Sequence, residues 1–210
     1  MKKKLSPEAV FKRLSQLYPD AGCTLDWTTP LELLVATILS AQCTDKRVNI
    51  VTTSLFKKYR TPNDYIAVAQ SELENDIHSC GTFRMKAKAI RETCRTLLKD
   101  FDGKVPRSMK EMITLRGVGR KTASVVLSTA YGINEGIAVD THVTRVARRL
   151  GLTRSKTQSG IEKDLMKKFP QKYWASISHL LIFHGRKACT ARVKCQGMCL
   201  TIPHPQKASL

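Results

Sequence analysis

Apolar residues recur at helical spacing along most of the chain, whereas segments that alternate as β-strands do are scarce. The run from Leu33 to Leu39 is nearly all apolar, and Thr29 with Glu32 precedes it in capping-box spacing. We expect this segment to be a central, buried helix. Other helices are predicted to begin at or just after Ser6, Asp45, Thr61, Ser71, Phe83, Ser108, Arg120, Asp140, Ser159 and Pro170. The pattern therefore predicts an all-α protein of about ten helices.

A glycine hairpin joins two of the predicted helices. Ser108 and Glu111 mark the start of the first helix, and Leu115-Arg116-Gly117-Val118-Gly119 follows it. Two glycines two residues apart permit a tight turn with exposed backbone amides and with dihedral angles closed to other residues. The second helix is predicted from about Arg120 to Tyr131, ending at Gly132. Such a hairpin binds phosphate through its free N–H groups and the positive helix end; the alternative is an ordinary turn between helices.

Lys121 lies beside Arg120 at the start of the second helix. The adjacent cation and the positive end of the helix dipole both raise the cost of charging this lysine, so they favour its neutral, nucleophilic amine. Asp140 follows nineteen residues later, where an amphipathic helix begins. A carboxylate in that position is either a catalytic group or only the N-cap of its helix.

The stretches LRGVGRKTASVVLSTAYG and IAVDTHVTRVARRLGL resemble the endonuclease III branch of the helix-hairpin-helix DNA glycosylases. The resemblance extends from about Leu31 to Cys199, and the family's hairpin lysine and VDTH aspartate match Lys121 and Asp140. It implies an all-α, two-lobed glycosylase fold. Residues 23–134 would form a six-helix barrel lobe that contains the hairpin, and residues 1–22 with 135–210 a second helical lobe ending in a degenerate cysteine loop. The groove between the lobes would bring Lys121 and Asp140 together.

The resemblance also implies an activity, the removal of oxidised pyrimidines from duplex DNA in base excision repair. The lysine would displace the base, form a Schiff base with the sugar and nick the strand by β-elimination, which makes the enzyme both a glycosylase and an abasic-site lyase. Two alternatives remain open: a glycosylase for another lesion, such as a mismatch or a photodimer, and a non-catalytic helix-hairpin-helix module that only binds DNA. Lys121 with Asp140 favours an enzyme, because a pure binder needs neither residue.

Several further residues are predicted to contact DNA. Gln42 matches the family glutamine that helps to fill the gap left by a flipped base; the alternative is a polar residue that only ends its helix. The family often carries a large apolar wedge where this chain has Thr82, so either Phe83 takes the wedge role or wedging is weaker. His142 matches a DNA-contacting histidine, although a histidine in a first helical turn is equally often only solvated. The hairpin and the basic helix are predicted to contact backbone phosphates, through Arg84, Lys86, Lys88, Arg91, Arg116, Gly117, Val118, Gly119 and Arg120. For the basic helix the alternative is an ordinary solvated face.

The cysteines near the end of the chain depart from the family pattern. Family members commonly hold a [4Fe-4S] cluster with four cysteines spaced C-x6-C-x2-C-x5-C, whereas Cys189, Cys195 and Cys199 are spaced C-x5-C-x3-C. Pro205 stands where the fourth cysteine would fall, and His204 is beside it. Three interpretations remain: a degenerate loop without a cluster, a cluster completed by His204, or a zinc site with the same four ligands.

The net charge of the chain indicates the class of its binding partner. The chain has 36 Lys and Arg against 17 Asp and Glu, which gives a net charge of +19 and a pI near 9.9. This excess favours a polyanion, here duplex DNA with damaged bases or abasic sites. No apolar run reaches the ~18 residues expected of a membrane span, and no signal peptide is visible. We therefore expect a cytoplasmic monomer, associated with the nucleoid if the source is prokaryotic, with its cysteines reduced or metal-bound.

Overall fold

The computed structural model describes residues 5–192 and Leu200. This part of the chain is helical and contains no β-strand, which confirms the predicted all-α class. None of its helices is long and apolar enough to cross a membrane. Two short 3-10 helices, His78–Cys80 and Gln171–Tyr173, accompany eleven α-helices. The α-helices are α1 (Pro7–Leu17), α2 (Pro30–Leu39), α3 (Asp45–Lys58), α4 (Pro62–Ala67), α5 (Gln70–Asp76), α6 (Phe83–Asp100), α7 (Met109–Met112), α8 (Arg120–Tyr131), α9 (Thr141–Arg149), α10 (Gln158–Lys168) and α11 (Trp174–Lys187).

Side chains cap seven of the eleven α-helices, and five of these caps stand where the sequence predicts them, at Ser6, Thr29, Thr61, Ser108 and Asp140. Thr29 accepts a hydrogen bond from the Glu32 amide at 3.2 Å, and the Glu32 carboxylate accepts one from the Thr29 amide at 3.2 Å, so the capping box of α2 is complete. Two predicted caps are wrong. Helix α5 begins at Gln70 without the Ser71 cap, and Thr157 rather than Ser159 caps α10.

Two compact units make up the chain. We call Cys23–Glu135 the hairpin unit and Met1–Gly22 with Gly136–Leu210 the terminal unit. Within the hairpin unit, α2 packs against α3, α6 and α8, and seven of its ten residues are buried. The prediction of a central, buried helix is therefore confirmed, and α2 forms the support on which the hairpin and its neighbouring loops are built.

Within the terminal unit, α9 and α11 pack closely, and α1 lies against α11. Gly185 permits the close approach, because a Cβ at this position would lie 3.0 Å from the Cβ of His142 and 3.1 Å from Val146. Helix α1 is joined to α11 by a 3.0 Å hydrogen bond between the Tyr18 hydroxyl and Nδ1 of His184, which is fully buried. These contacts fix the helix that begins at Asp140.

Candidate active site

The glycine hairpin between α7 and α8 is closed by a hydrogen bond from the Val118 amide to the Leu115 carbonyl at 3.1 Å. Gly117 has φ +77°, and a Cβ there would lie 2.9 Å from the Cβ of Ala89 on α6. Both conformation and space therefore require glycine at 117. Gly119 differs, since its φ of −85° and ψ of 172° are open to any residue. The prediction of restricted dihedral angles is correct for Gly117 and wrong for Gly119.

The hairpin is fixed to α6 through its backbone and through a charged side chain. Thr93 donates its hydroxyl to the Arg116 carbonyl at 2.8 Å, and the Arg116 guanidinium lies 2.8 Å from the carboxylate of Glu92. The start of α7 is held as well, because the Met109 amide donates to the Glu135 carboxylate at 2.9 Å. The turn is therefore held by contacts within the hairpin unit itself.

The start of α8 is open to an anion. Its N-cap is Gly119, which has no side chain to accept the first amide hydrogen bonds. By contrast, Thr29, Thr61 and Asp140 each accept such a bond at the start of their own helices. Uncapped amides and the positive end of a twelve-residue helix together attract a phosphate. The geometry thus supports the phosphate-binding role predicted for the hairpin.

Lys121 is the second residue of α8 and is exposed. Among the described residues of the hairpin unit, none accepts a hydrogen bond from its ammonium group. Its neighbour Arg120 instead donates to the Glu135 carbonyl at 3.3 Å. The Lys121 amine is therefore the accessible nitrogen at the end of the hairpin. Its role as nucleophile remains a prediction.

Asp140 belongs to the terminal unit and caps α9. One carboxylate oxygen accepts a 2.8 Å hydrogen bond from the Val143 amide, so the predicted N-cap is present. His142 lies in the first turn, where its Nδ1 is 3.1 Å from the guanidinium of Arg145, and that guanidinium also donates to the Gly185 carbonyl at 2.8 Å. Both predicted residues are thus held in position on one ordered helix end.

Gln42 and Thr82 share an uncommon backbone conformation. Their φ angles are +53° and +42°, and both side chains are exposed. Among the described residues, Asp102 is the third non-glycine residue with positive φ. A left-handed conformation costs such residues roughly 1–2 kcal/mol, and strain of this kind concentrates at functional sites. Two of the three described outliers therefore coincide with positions predicted to contact DNA.

Lys86 is buried, which contradicts its predicted contact with a phosphate. It is only 5% exposed, and its ammonium donates to the carbonyls of Leu39 at 2.9 Å and Cys80 at 2.6 Å. Leu39 ends the helix before the Gln42 loop, and Cys80 precedes the Thr82 turn, so Lys86 joins the two loops. Burial lowers the pKa of Lys86. A sequence signal existed, because Lys86 shares its helical face with the buried residues Ile90, Thr93 and Leu97.

Arg91 is a second correction on the same helix. Its guanidinium donates to the carbonyls of Tyr65, Ile66 and Val68, and thereby closes the C-terminal end of α4. A structural role inside the hairpin unit replaces the predicted phosphate contact. Lys88 and Arg84 are both exposed, and Arg84 lies 3.9 Å from Glu74, so their contacts with phosphate remain predictions.

The loop residue expected to act as a wedge is partly covered. Phe83 is half-buried, with its ring 4.5 Å from that of His78 and with the Arg84 guanidinium 5.2 Å above it. Met85, two residues further on, is 76% exposed. Met85 is not among the residues predicted from the sequence, although it is an apolar residue within a basic run that includes Arg84, Lys86 and Lys88. Its exposure makes Met85 a second candidate wedge.

The cysteine loop falls mostly outside the described residues, which exclude Cys195, Cys199 and His204. Cys189 is fully buried, and its sulfur accepts a 3.2 Å hydrogen bond from Arg149. No group of three or more metal-binding side chains occurs in the described part of the chain. The terminal unit contains three cysteines in all, so a cluster held by four thiolates does not fit it.

Comparisons with known proteins agree with this arrangement. A family model described as "HhH-GPD superfamily base excision DNA repair protein" matches residues 35–171. The chain is 53% identical to endonuclease III of Synechocystis sp. over 186 residues, which cover 89% of this chain and 85% of that protein. It is 48% identical to endonuclease III of Bacillus subtilis, over 88% of this chain and 84% of that one.

Solved structures give the same result. A non-covalent endonuclease III–DNA complex matches with a TM-score of 0.88 at 47% identity, covering 95% of each chain. A trapped covalent endonuclease III–DNA intermediate matches with a TM-score of 0.85 at 48% identity, covering 90% of each chain. A thermostable thymine-DNA glycosylase shares the fold at 21% identity, with a TM-score of 0.80 over 92% of this chain and 94% of that one.

Proposed function

Because this chain belongs to the HhH-GPD superfamily of base excision DNA repair proteins, we propose that it removes oxidised pyrimidines from duplex DNA and nicks the resulting abasic site. It is a DNA glycosylase of the endonuclease III type, and its partner is duplex DNA. The observation that supports catalysis best is Lys121, exposed at an uncapped helix start directly after the glycine hairpin. We propose that it acts in the cytoplasm, at the nucleoid in a prokaryote.

The proposed reaction begins when the damaged nucleotide leaves the stack, which costs a few kcal/mol and less for a lesion that pairs badly. The neutral amine of Lys121 attacks the sugar C1′, and the base departs with the bonding electrons of its C–N bond. The lysine nitrogen then gives up a proton, and the C1′–O4′ bond breaks as O4′ takes up a proton, so that an iminium joins the lysine to C1′. This iminium acidifies the C2′ hydrogen. Loss of that proton expels the 3′ phosphate by β-elimination, and water then releases the lysine. Each step uses groups that the amine, the sugar and water supply.

Asp140 is proposed either to accept the lysine proton or to stabilise positive charge on the sugar in the transition state. Its capping hydrogen bond occupies one carboxylate oxygen, which orients the group without consuming its charge. Gln42, Thr82 and the apolar residues Phe83 and Met85 are proposed to fill the space left by the flipped nucleotide. The strained backbone at Gln42 and Thr82 supports this assignment.

The test is borohydride trapping on a duplex with a single abasic site, since borohydride converts a Schiff base into a stable protein–DNA adduct. Lys121→Ala should lower the trapped fraction and the nicking rate by about 10³-fold or more. Lys110→Ala is the matched control, because it removes the same charge from an exposed position on α7 and should leave trapping unchanged. Normal nicking by Lys121→Ala would overturn the assignment of Lys121 as the nucleophile, whereas a wild type that neither nicks nor forms an adduct would favour a DNA-binding module.

The lesion class is tested with the same assay on a panel of duplexes. Oxidised pyrimidines should be excised faster than a mismatch or a photodimer, and the reverse order would establish the alternative glycosylase. We also propose that the protein works without a [4Fe-4S] cluster, because its terminal unit lacks a fourth thiolate. Protein purified without oxygen should then be colourless, free of iron and active. Stoichiometric iron would contradict this and point to His204 as the fourth ligand.

A further inference from the structure

A groove of about 800 Å³ lies within the terminal unit, along α9 and the loop that follows it. Its described lining contains no Asp or Glu, and it includes the first residue of α10, Gln158. The positive end of α10 therefore adds to the charge of the side chains, whereas the carboxylate of Asp140 caps the start of α9. Five lining residues are cations: Arg145, Arg148, Arg149, Arg154 and Lys156.

Two of these cations are ordered by neutral acceptors. Arg145 donates to the carbonyls of Gly185 and Cys189 at 2.8 and 3.0 Å, and Arg149 donates to the Thr190 carbonyl at 2.8 Å. Carbonyl oxygens hold a guanidinium in place but do not cancel its charge. The positive potential of both arginines therefore remains in the groove.

The other three cations are free to bind. Arg148, Arg154 and Lys156 are exposed, and none has a hydrogen bond or an ion pair with another described residue. The loop that carries Arg154 and Lys156 is nevertheless ordered. Thr153 donates to the Asp164 carboxylate at 2.5 Å and accepts from the Ser155 amide at 3.0 Å. The two loop cations therefore lose little backbone freedom when they meet an anion.

The protein itself supplies little negative charge for this groove. The terminal unit has 19 Lys and Arg against five Asp and Glu, and residues 190–210 contain no acidic side chain. Keeping five cations together costs free energy through mutual repulsion unless an anion from outside balances them. Helix α9 is about 13 Å long, which spans roughly four nucleotides of one strand at ~3.4 Å each.

We propose that this groove binds the phosphodiester backbone of duplex DNA, as a sequence-independent site additional to the glycine hairpin. The proposal rests on the proposed function for the identity of the polyanion. The groove would hold the protein on undamaged DNA while lesions are sought, because phosphate contacts carry affinity without sequence information.

The test compares two triple variants of equal charge. Arg148→Ala with Arg154→Ala and Lys156→Ala removes the free groove cations, and Lys163→Ala with Lys167→Ala and Lys168→Ala removes three exposed lysines of α10 outside the groove lining. Binding to an undamaged duplex is measured by fluorescence anisotropy over a range of salt concentrations. The groove variant should bind about tenfold or more weakly at moderate salt, and its slope of log K against log salt should fall by about 2 to 3; the control slope should fall by less than 1.

Equal slopes for the two variants would overturn the proposal, because the effect would then be one of total charge. Trapping at a saturating concentration of abasic-site duplex gives the second measurement, and the groove variant should match the wild type there. A loss of trapping at saturation with unchanged affinity would also overturn it. If the wild type never forms an adduct, the proposed function fails while the difference in salt slope still stands, so the two failures are distinguishable.

Discussion

The hairpin unit and the terminal unit differ in net charge and in backbone conformation. The hairpin unit has 17 basic and 12 acidic side chains, a net charge of +5, whereas the terminal unit has 19 and five, a net charge of +14. Backbone conformation shows the opposite distribution. All three described non-glycine residues with positive φ, Gln42, Thr82 and Asp102, lie in the hairpin unit.

The difference separates two kinds of recognition. A strained backbone and an uncapped helix start place a few groups at defined positions, whereas an excess of cations attracts any phosphate backbone. In the terminal unit, three of the five acidic side chains accept hydrogen bonds within the fold: Glu162 from the Ile137 amide, Asp164 from Thr153, and Asp140 from the Val143 amide. The surrounding cations are thereby left for DNA.

Asp140 gives the largest expected effect. It would be a catalytic residue in the terminal unit, whose other proposed contribution to DNA binding is positive charge. Asp140→Asn keeps an oxygen that can accept from the Val143 amide but removes the carboxylate charge. We expect excision and nicking to fall by about 10²- to 10⁴-fold, with the melting temperature unchanged. Single-turnover kinetics and thermal unfolding measure the two effects.

Asp140→Ala provides the comparison, because it removes the charge and the cap together. It should lose activity to the same extent and also about 1 kcal/mol of stability. Full activity in Asp140→Asn would reduce Asp140 to a structural cap and would confine the chemistry to the hairpin unit.

Lys86→Met tests whether the two loops of the hairpin unit depend on their internal connection. The variant leaves the Leu39 and Cys80 carbonyls without their donor, so stability should fall by about 1–3 kcal/mol. Excision should fall by about tenfold, because the Gln42 and Thr82 loops lose their common support. The exposed neighbour Lys88→Met should affect stability far less.

The pH dependence of that variant has a defined sign. Burial lowers the pKa of Lys86 in the folded protein below its unfolded value of about 10.4. The unfolded chain therefore binds more protons between the two values, and the free energy of unfolding rises with pH in that range. Wild-type protein should gain stability relative to Lys86→Met as the pH approaches 10.4; a constant difference would contradict the effect of burial.

Gln42→Gly gives the smallest expected change. Glycine removes the cost of a left-handed residue, so stability should rise by up to about 1 kcal/mol while excision decreases. Asp102→Gly is matched, because its φ of +51° lies in a loop with no assigned contact, and it should gain stability without losing activity. Equal excision activities in the two variants would show that Gln42 does not contribute to DNA binding or excision. Denaturant titration and excision assays measure both.

Local features of the fold could be predicted from the sequence, because caps and helix ends depend on neighbouring residues. The interval Arg120–Tyr131, closed by Gly132, and the Asp140 cap are both confirmed. The predicted Ser159 cap failed for a reason outside the local sequence. Glu162, expected to complete the box, is buried and accepts instead from the Ile137 amide.

The residues of the candidate site also include some that the sequence predicts and some that only the structure identifies. The need for glycine at 117 follows from the pattern, but its close approach to Ala89 joins positions far apart in the chain. Lys86 and Lys88 look alike in a basic helix, and only packing distinguishes a buried connection from an exposed cation. Charge composition gave the class of partner, whereas the three-dimensional arrangement of α9 and its loop was needed to find the groove.

The pairing of α1 with α11 has a consequence for biosynthesis. The residues that join them, Tyr18 and His184, are 166 positions apart. At ~5–20 residues per second, the ribosome needs roughly 8 to 33 s to make that interval. During this time the hairpin unit, a continuous segment, can fold, while the amphipathic α1 has no native surface on which to bury Val10 and Leu14. Nascent chains should therefore depend on chaperones chiefly through their first helix.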